Sequence, residues 1–260
     1  MLSAVSMART SKLSRRDFSF SFLAAASLAC CPACAAKAQA KVQARAQGGE
    51  QILCAAAGQG VPEAEALLAS TGDGNLDRIL TAEMIEQSRY YGLRPAFLLY
   101  SGPNQNALAT SKTRLENTQG TILYNLGFLQ GQLKSGQWGG TVVAGVLAHE
   151  FGHIYQFFSD YAARLQGMHN TVKFQELHAD FLSAFYMAKK FVASGVKLND
   201  YFDAFYALGD YQFDQKDHHG TKEERYIAIK AGHNLSLGNK NEGIVFAAAQ
   251  GEAFLKEYIR

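Results

Sequence analysis

Two histidines four residues apart bracket the string His149-Glu150-Phe151-Gly152-His153. The run before it, Val142 to Ala148, is apolar and compatible with helix. On a helix, residues four apart lie on one face one turn apart, so both imidazoles can grip one cation. Glu150, beside the first imidazole, is then placed to reach a water on that cation rather than the cation itself. Two solvent-facing histidines on a polar helix would leave unexplained why such residues follow so apolar a run.

A catalytic cation of this kind needs a third ligand. The metzincin extension is excluded: it requires a glycine three places and a histidine six places after His153, where the chain has Gln156 and Ser159. The next helical segment offers Glu176-Leu177-His178-Ala179-Asp180. Glu176 and Asp180 share a face. That spacing suits Glu176 as a carboxylate ligand and Asp180 as the group that orients a ligating histidine through its other ring nitrogen. His178 competes for the third place, but it lies about 200° around the helix from Glu176. It falls near the apolar stripe Phe174, Leu177, Phe181 and Phe185 and reads as a packed structural histidine.

Helical patterns position these residues. They dominate from Thr141 onwards, at roughly 141–160, 174–193, 198–208, 221–237 and 243–258. Upstream, Pro62 opens a short helical pattern that Gly72-Asp73-Gly74 breaks, and Thr81 to Tyr91 reads as a helix with Thr81 as N-cap and Gly92 as C-cap. Pro95–Tyr100 and Gly120–Leu126 are apolar runs of strand length. This order predicts an α+β fold, mostly helical with a small antiparallel sheet. The strand at 120–126 offers an edge to which an extended substrate can add.

The formal net charge of +2 is too small to argue for nucleic acid or an anionic membrane surface as partner. The basic excess sits entirely in residues 1–40, where Arg9, Lys12, Arg15, Arg16 and Lys37 face a single acid, Asp17; the residues after 40 carry a net charge of −2. An uncharged run from Phe18 to Ala36 follows, and Ala38-Gln39-Ala40 offers a small-x-small cleavage site. Ser14-Arg15-Arg16-Asp17-Phe18 resembles a twin-arginine export signal. The expectation is a periplasmic or secreted protein of bacterial type, with no stable membrane span once the signal is removed. Ser27-Leu28-Ala29-Cys30 is a poor lipobox, with its leucine one place out of position, so a lipid anchor on Cys30 has weak support. Of the four cysteines only Cys54 lies beyond Ala40, which excludes an internal disulfide framework; Cys54 could pair between molecules, and a buried thiol is the state expected ahead of that. The expected organisation is a signal peptide over 1–40, a linker and N-terminal extension over 41–80, and the metal-bearing domain over 81–260.

The His149–His153 pair with Glu176-x-x-Ala179-Asp180 resembles the gluzincin clan of zinc metallopeptidases, and within it the HtpX-like and neutral zinc metallopeptidase families of bacteria. Gln156 fits the latter group. His219-Gly220-Thr221 followed by Arg225 resembles an element near the end of those domains, and Pro103-Asn104-Gln105-Asn106-Ala107 with the strand after it resembles their segment ahead of the active-site helix. The likeness spans roughly residues 80–237. Two departures stand out: only 22 residues separate His153 from Glu176, and the transmembrane helices of the HtpX-like branch are absent.

The resemblance implies a zincin-like domain holding one Zn²⁺ per chain on His149, His153 and Glu176. It implies a peptide or protein substrate, hydrolysed by a zinc-activated water with Glu150 as general base. Asp180 and Arg225 would support the ligands. His219 is the favoured oxyanion donor, ahead of His218, Tyr155 and Tyr211. The rival class is a non-catalytic, zinc-stabilised envelope protein, chaperone-like or a binding module. Such a site has no use for Glu150.

Overall fold

The computed structural model describes residues 51–54, 67–134, 139–168, 170–191, 202–203 and 219–259. The signal, the residues around it, and most of the helix expected at 198–208 lie outside these, as do Tyr211 and His218.

Among the described residues the fold is α+β with helix in excess. The strands are β1 (Ile52–Leu53), β2 (Leu67–Leu68), β3 (Ala96–Tyr100), β4 (Ala107–Thr110) and β5 (Thr121–Asn125). The helices are α1 (Gly74–Tyr91), α2 (Leu126–Lys134), α3 (Gly139–Phe157), α4 (Tyr161–Gln166), α5 (Lys173–Phe191), α6 (Lys222–Gly238) and α7 (Ile244–Tyr258). Among the described residues no helix is long and apolar enough to cross a membrane.

The sheet is mixed, not antiparallel as expected. Its order is β1-β4-β5-β3-β2, and β5 pairs parallel with β3 (Phe97 opposite Ile122) while the other neighbours are antiparallel. The cause lies in the connection after β3. It carries the chain past the place where β5 later inserts, so β4 forms one strand further out. The strand expected to receive substrate, β5, is therefore interior, with both edges already paired. β4 borders it on the outer side, and β1 covers β4. Residues 41–80, expected as linker and extension, contribute two strands. Leu67 and Leu68 are strand where a helical pattern was read.

Helix α1 starts seven residues earlier than its expected cap. Asp73, in extended conformation, accepts from the Asn75 and Leu76 amides, while Thr81 lies inside the helix with its hydroxyl on the Asp77 carbonyl (2.8 Å). Gly92, at φ 67°, ends the helix in the left-handed conformation, as expected.

One face of the sheet (Ala107, Ala109, Ile122, Tyr124) packs on α3 through Val143, Leu147, Phe151 and Ile154, and α5 adds Phe181 and Phe185 to the same core. The two helices that carry the histidines and Glu176 are buried along nearly their whole length. A helix apolar all round has no solvent face to present, which explains the strongly apolar run before His149. Helix α6 lies against α5 so closely that a Cβ on Gly232 would stand 2.1 Å from the Phe181 carbonyl oxygen. Its start is fixed by a capping box between Thr221 and Glu224, and Glu224 also pairs with Lys173 at the start of α5 (2.7 Å). These contacts hold Arg225 beside Asp180.

Candidate metal centre

Helix α3 brings His149 and His153 together, with Nε2 atoms 3.0 Å apart and rings at 88°. Helix α5 delivers Glu176, whose Oε2 lies 3.3 Å from His149 Nε2 and whose Oε1 lies 3.4 Å from His153 Nε2. All three side chains are buried. The fourth member is Cys54, immediately after β1, with Sγ 3.1 Å from each imidazole Nε2 and 3.3 Å from Glu176 Oε2. This buried Cys/His/His/Glu cluster can hold a metal ion. A tetrahedron with edges of this length has its centre about 2 Å from each corner, a distance suited to a small divalent cation.

The supports around the cluster are buried as well. Asp180 Oδ1 lies 2.9 Å from His149 Nδ1, and Arg225 binds the same carboxylate with two parallel hydrogen bonds (Nε to Oδ2, 2.8 Å; Nη2 to Oδ1, 2.7 Å). Arg225 therefore fixes Asp180, and Asp180 fixes the ring of His149, the arrangement typical of ligating histidines. Gln156 does the same for His153: its Oε1 is 3.0 Å from His153 Nδ1, while its Nε2 donates to the Gln175 carbonyl (2.8 Å) and lies 3.2 Å from His178 Nδ1. His178 Nε2 donates to the Ala248 carbonyl (3.0 Å), and its ring stacks on Tyr161 at 5.0 Å. It is packed, as the helical angle indicates, and among the described residues its hydrogen-bond link to the cluster runs through Gln156.

Burial pulls His149 down, but the hydrogen bonds it donates to Asp180 and Glu176 outweigh it and push the imidazole up to about 9. Burial opposes ionisation of Glu176 too, yet His153, His219 and its bonds to both imidazoles hold it well below the usual carboxylate range. Burial, with Glu150 and Glu176 nearby, pushes the Cys54 thiol up. Glu150 is raised by burial to about 7 against the pull of His149 and His153. Its Oε2 is buried with no hydrogen-bond partner among the described residues. A cation at the cluster centre would satisfy this set of donors and supply the charge that the carboxylates face.

The cluster opens onto a cavity of about 440 Å³ lined by Cys54, Asn106, His149, Glu150, His219 and Arg225 among others. His219 thus reaches the site, at the turn before α6. Tyr155 does not line the cavity; its ring packs against Tyr161 at 6.0 Å. Two site residues had no such role in the sequence reading. Gln156 stands one helical turn after His153, a spacing at which the contact is readable. Cys54 carries no spacing signal at all.

His178 makes acid stability a test of this packing. Burial holds it down at about 4, so the fold prefers the neutral ring. The unfolded chain, near 6.5, takes up the proton first. Stability from this group is present above pH 6.5 and is lost as pH falls towards 4, by about 3 kcal/mol in total. Urea midpoints of chelated protein between pH 7 and 4 should fall more steeply for the parent than for His178→Gln; equal slopes would refute the assignment.

Protein-family models, curated proteins and solved structures give no significant match to this chain. The class is accordingly defined by the molecule itself: an α+β fold with a buried Cys/His/His/Glu metal-capable cluster.

Proposed function

We propose that the protein is an exported, zinc-dependent metallopeptidase of zincin-like fold. The observation that carries the reading is Glu150: a buried carboxylate next to His149, with an unpartnered oxygen, lining the cavity onto which the cluster opens. The donor set of imidazole, carboxylate and thiol suits Zn²⁺ over the harder cations. Zinc, when bound, supplies Lewis acidity towards water and the substrate carbonyl. His149, His153 and Glu176 would hold it; Asp180 with Arg225 fixes one imidazole and Gln156 the other. Glu150 takes the proton from the attacking water and returns it to the leaving amine. His219 donates to the oxyanion that develops on the carbonyl.

A second reading has one observation in its favour. Four protein donors, counting Cys54, make the closed set typical of structural zinc, which suits a non-catalytic envelope protein. A mixed peptide library with and without chelator separates the two: chelator-sensitive cleavage with one zinc per chain supports the peptidase, and zinc binding without cleavage in the Cys54→Ala protein supports the structural site.

The oxyanion role has its own test. His219→Ala should lower turnover by roughly 10²–10³-fold with metal content unchanged. Loss of metal in that variant would make His219 a ligand and reopen the role of Glu176.

A further inference from the structure

We propose that Cys54 is a metal ligand of the resting protein and that β1 lies where an extended substrate would bind, so that the chain as folded restrains its own active site. This rests on the peptidase reading above and adds its regulation. Strand β1 adds antiparallel to β4, with Ile52 opposite Thr110 and Leu53 opposite Ala109. The ladder is extended by the Ser111 amide donating to the Gln51 carbonyl (2.9 Å) and the Gln51 amide donating to the Ser111 hydroxyl (2.8 Å). This is how an added peptide strand is recognised, through main-chain bonds along a sheet edge.

The segment then does what a bystander strand would not. At Cys54 the backbone turns into the left-handed region, φ 60°, which is unfavourable for a residue with a Cβ. The Asn106 side-chain amide grips the Cys54 carbonyl. The turn aims Sγ between His149, His153 and Glu176, at 3.1–3.3 Å from their nearest donor atoms. A second feature of the same cavity points to a ligand: the buried Glu150 Oε2 has no partner among the described residues, and the Glu150 side chain lines the cavity beside His149. A sulfur ligand occupies the position that a catalytic zinc keeps for water, which leaves Glu150 without a substrate. On ligation the thiol S–H bond breaks, its proton leaves to solvent, and the sulfur electron pair forms the bond to the metal. Release of the sulfur restores the open position.

The test uses the full chain with Cys30→Ser, Cys31→Ser and Cys34→Ser, so that Cys54 is the sole thiol. Loaded with cobalt(II), this protein should show sulfur-to-cobalt charge-transfer absorption, and addition of Cys54→Ser should abolish it while one metal per chain remains. Cys54 should react slowly with a disulfide reagent in the loaded protein and rapidly after chelation. If the sulfur is bound in about 99% of chains, Cys54→Ser and Cys54→Ala should each cleave peptides about 100-fold faster than the parent. Bound metal without sulfur absorption, or a thiol equally reactive with and without metal, overturns the ligation and leaves the peptidase reading standing. Sulfur absorption with no gain in either variant overturns self-restraint and favours the closed structural site. Failure of every protein to bind metal overturns the peptidase reading itself. The thiol-reactivity arm needs no substitution at Cys54, so it decides even if both variants misfold.

Discussion

Glu150→Gln should retain its metal and lose about 10²–10⁴-fold in turnover. The substitution keeps the shape of the side chain and leaves His149, His153 and Glu176 untouched, so metal content should match the parent. It also replaces a buried carboxylate, with one oxygen unpartnered among the described residues, by a neutral amide. The folded protein without metal should therefore be at least as stable as the parent, because the desolvation cost of the charge disappears. That combination separates a functional group from a structural one: a residue kept for the fold would lower the melting temperature when changed. Metal analysis, thermal melts and peptide turnover on one preparation check it. Turnover at the parent rate would refute Glu150 as the base.

Asp180→Ala should be the most destabilising single change at the site, at about 3–5 kcal/mol. On helical spacing alone Asp180 orients a ligating histidine, and by itself that predicts weaker metal binding with a largely intact fold. The structure adds Arg225, which is 3% exposed and spends two hydrogen bonds on the same carboxylate. Removing Asp180 takes a two-fold carboxylate acceptor from a buried guanidinium and the Nδ1 acceptor from an imidazole. The two consequences can be parted. Asp180→Leu combined with Arg225→Met removes both charges, so folding should largely recover. His149 Nδ1 still lacks its acceptor, so metal affinity should stay about 10–100-fold below the parent. Urea midpoints and zinc titrations of Asp180→Leu, Arg225→Met and the double variant form the cycle, with Asp180→Ala measured beside them. If Asp180→Ala unfolds at the parent midpoint, the buried pair does not support the fold.

What was legible in the sequence was local. The pairing of His149 with His153, the shared face of Glu176 and Asp180, and the turning away of His178 all follow from 3.6 residues per turn, and the structure places each where that period puts it. The long helices were legible for the same reason, since α3 and α5 are periodic or continuously apolar over about five turns. Strands of two residues such as β1 and β2 have no period to read. They exist only because an edge is there to pair with.

Tertiary structure alone decided the rest. Whether β5 is an edge or an interior strand depends on where the chain crosses after β3, and no stretch of sequence encodes a neighbour's position. Arg225 lies 45 residues from Asp180 and meets it because Gly232 lets α6 close onto α5. Cys54 lies 95 residues from His149, in a stretch without periodicity, and reaches the cluster through one β-pairing and one left-handed backbone turn. Helical spacing thus set two imidazoles and a carboxylate on faces that suit a cation. The packing of α3, α5 and β1 decided that those faces meet, and that a fourth donor stands among them.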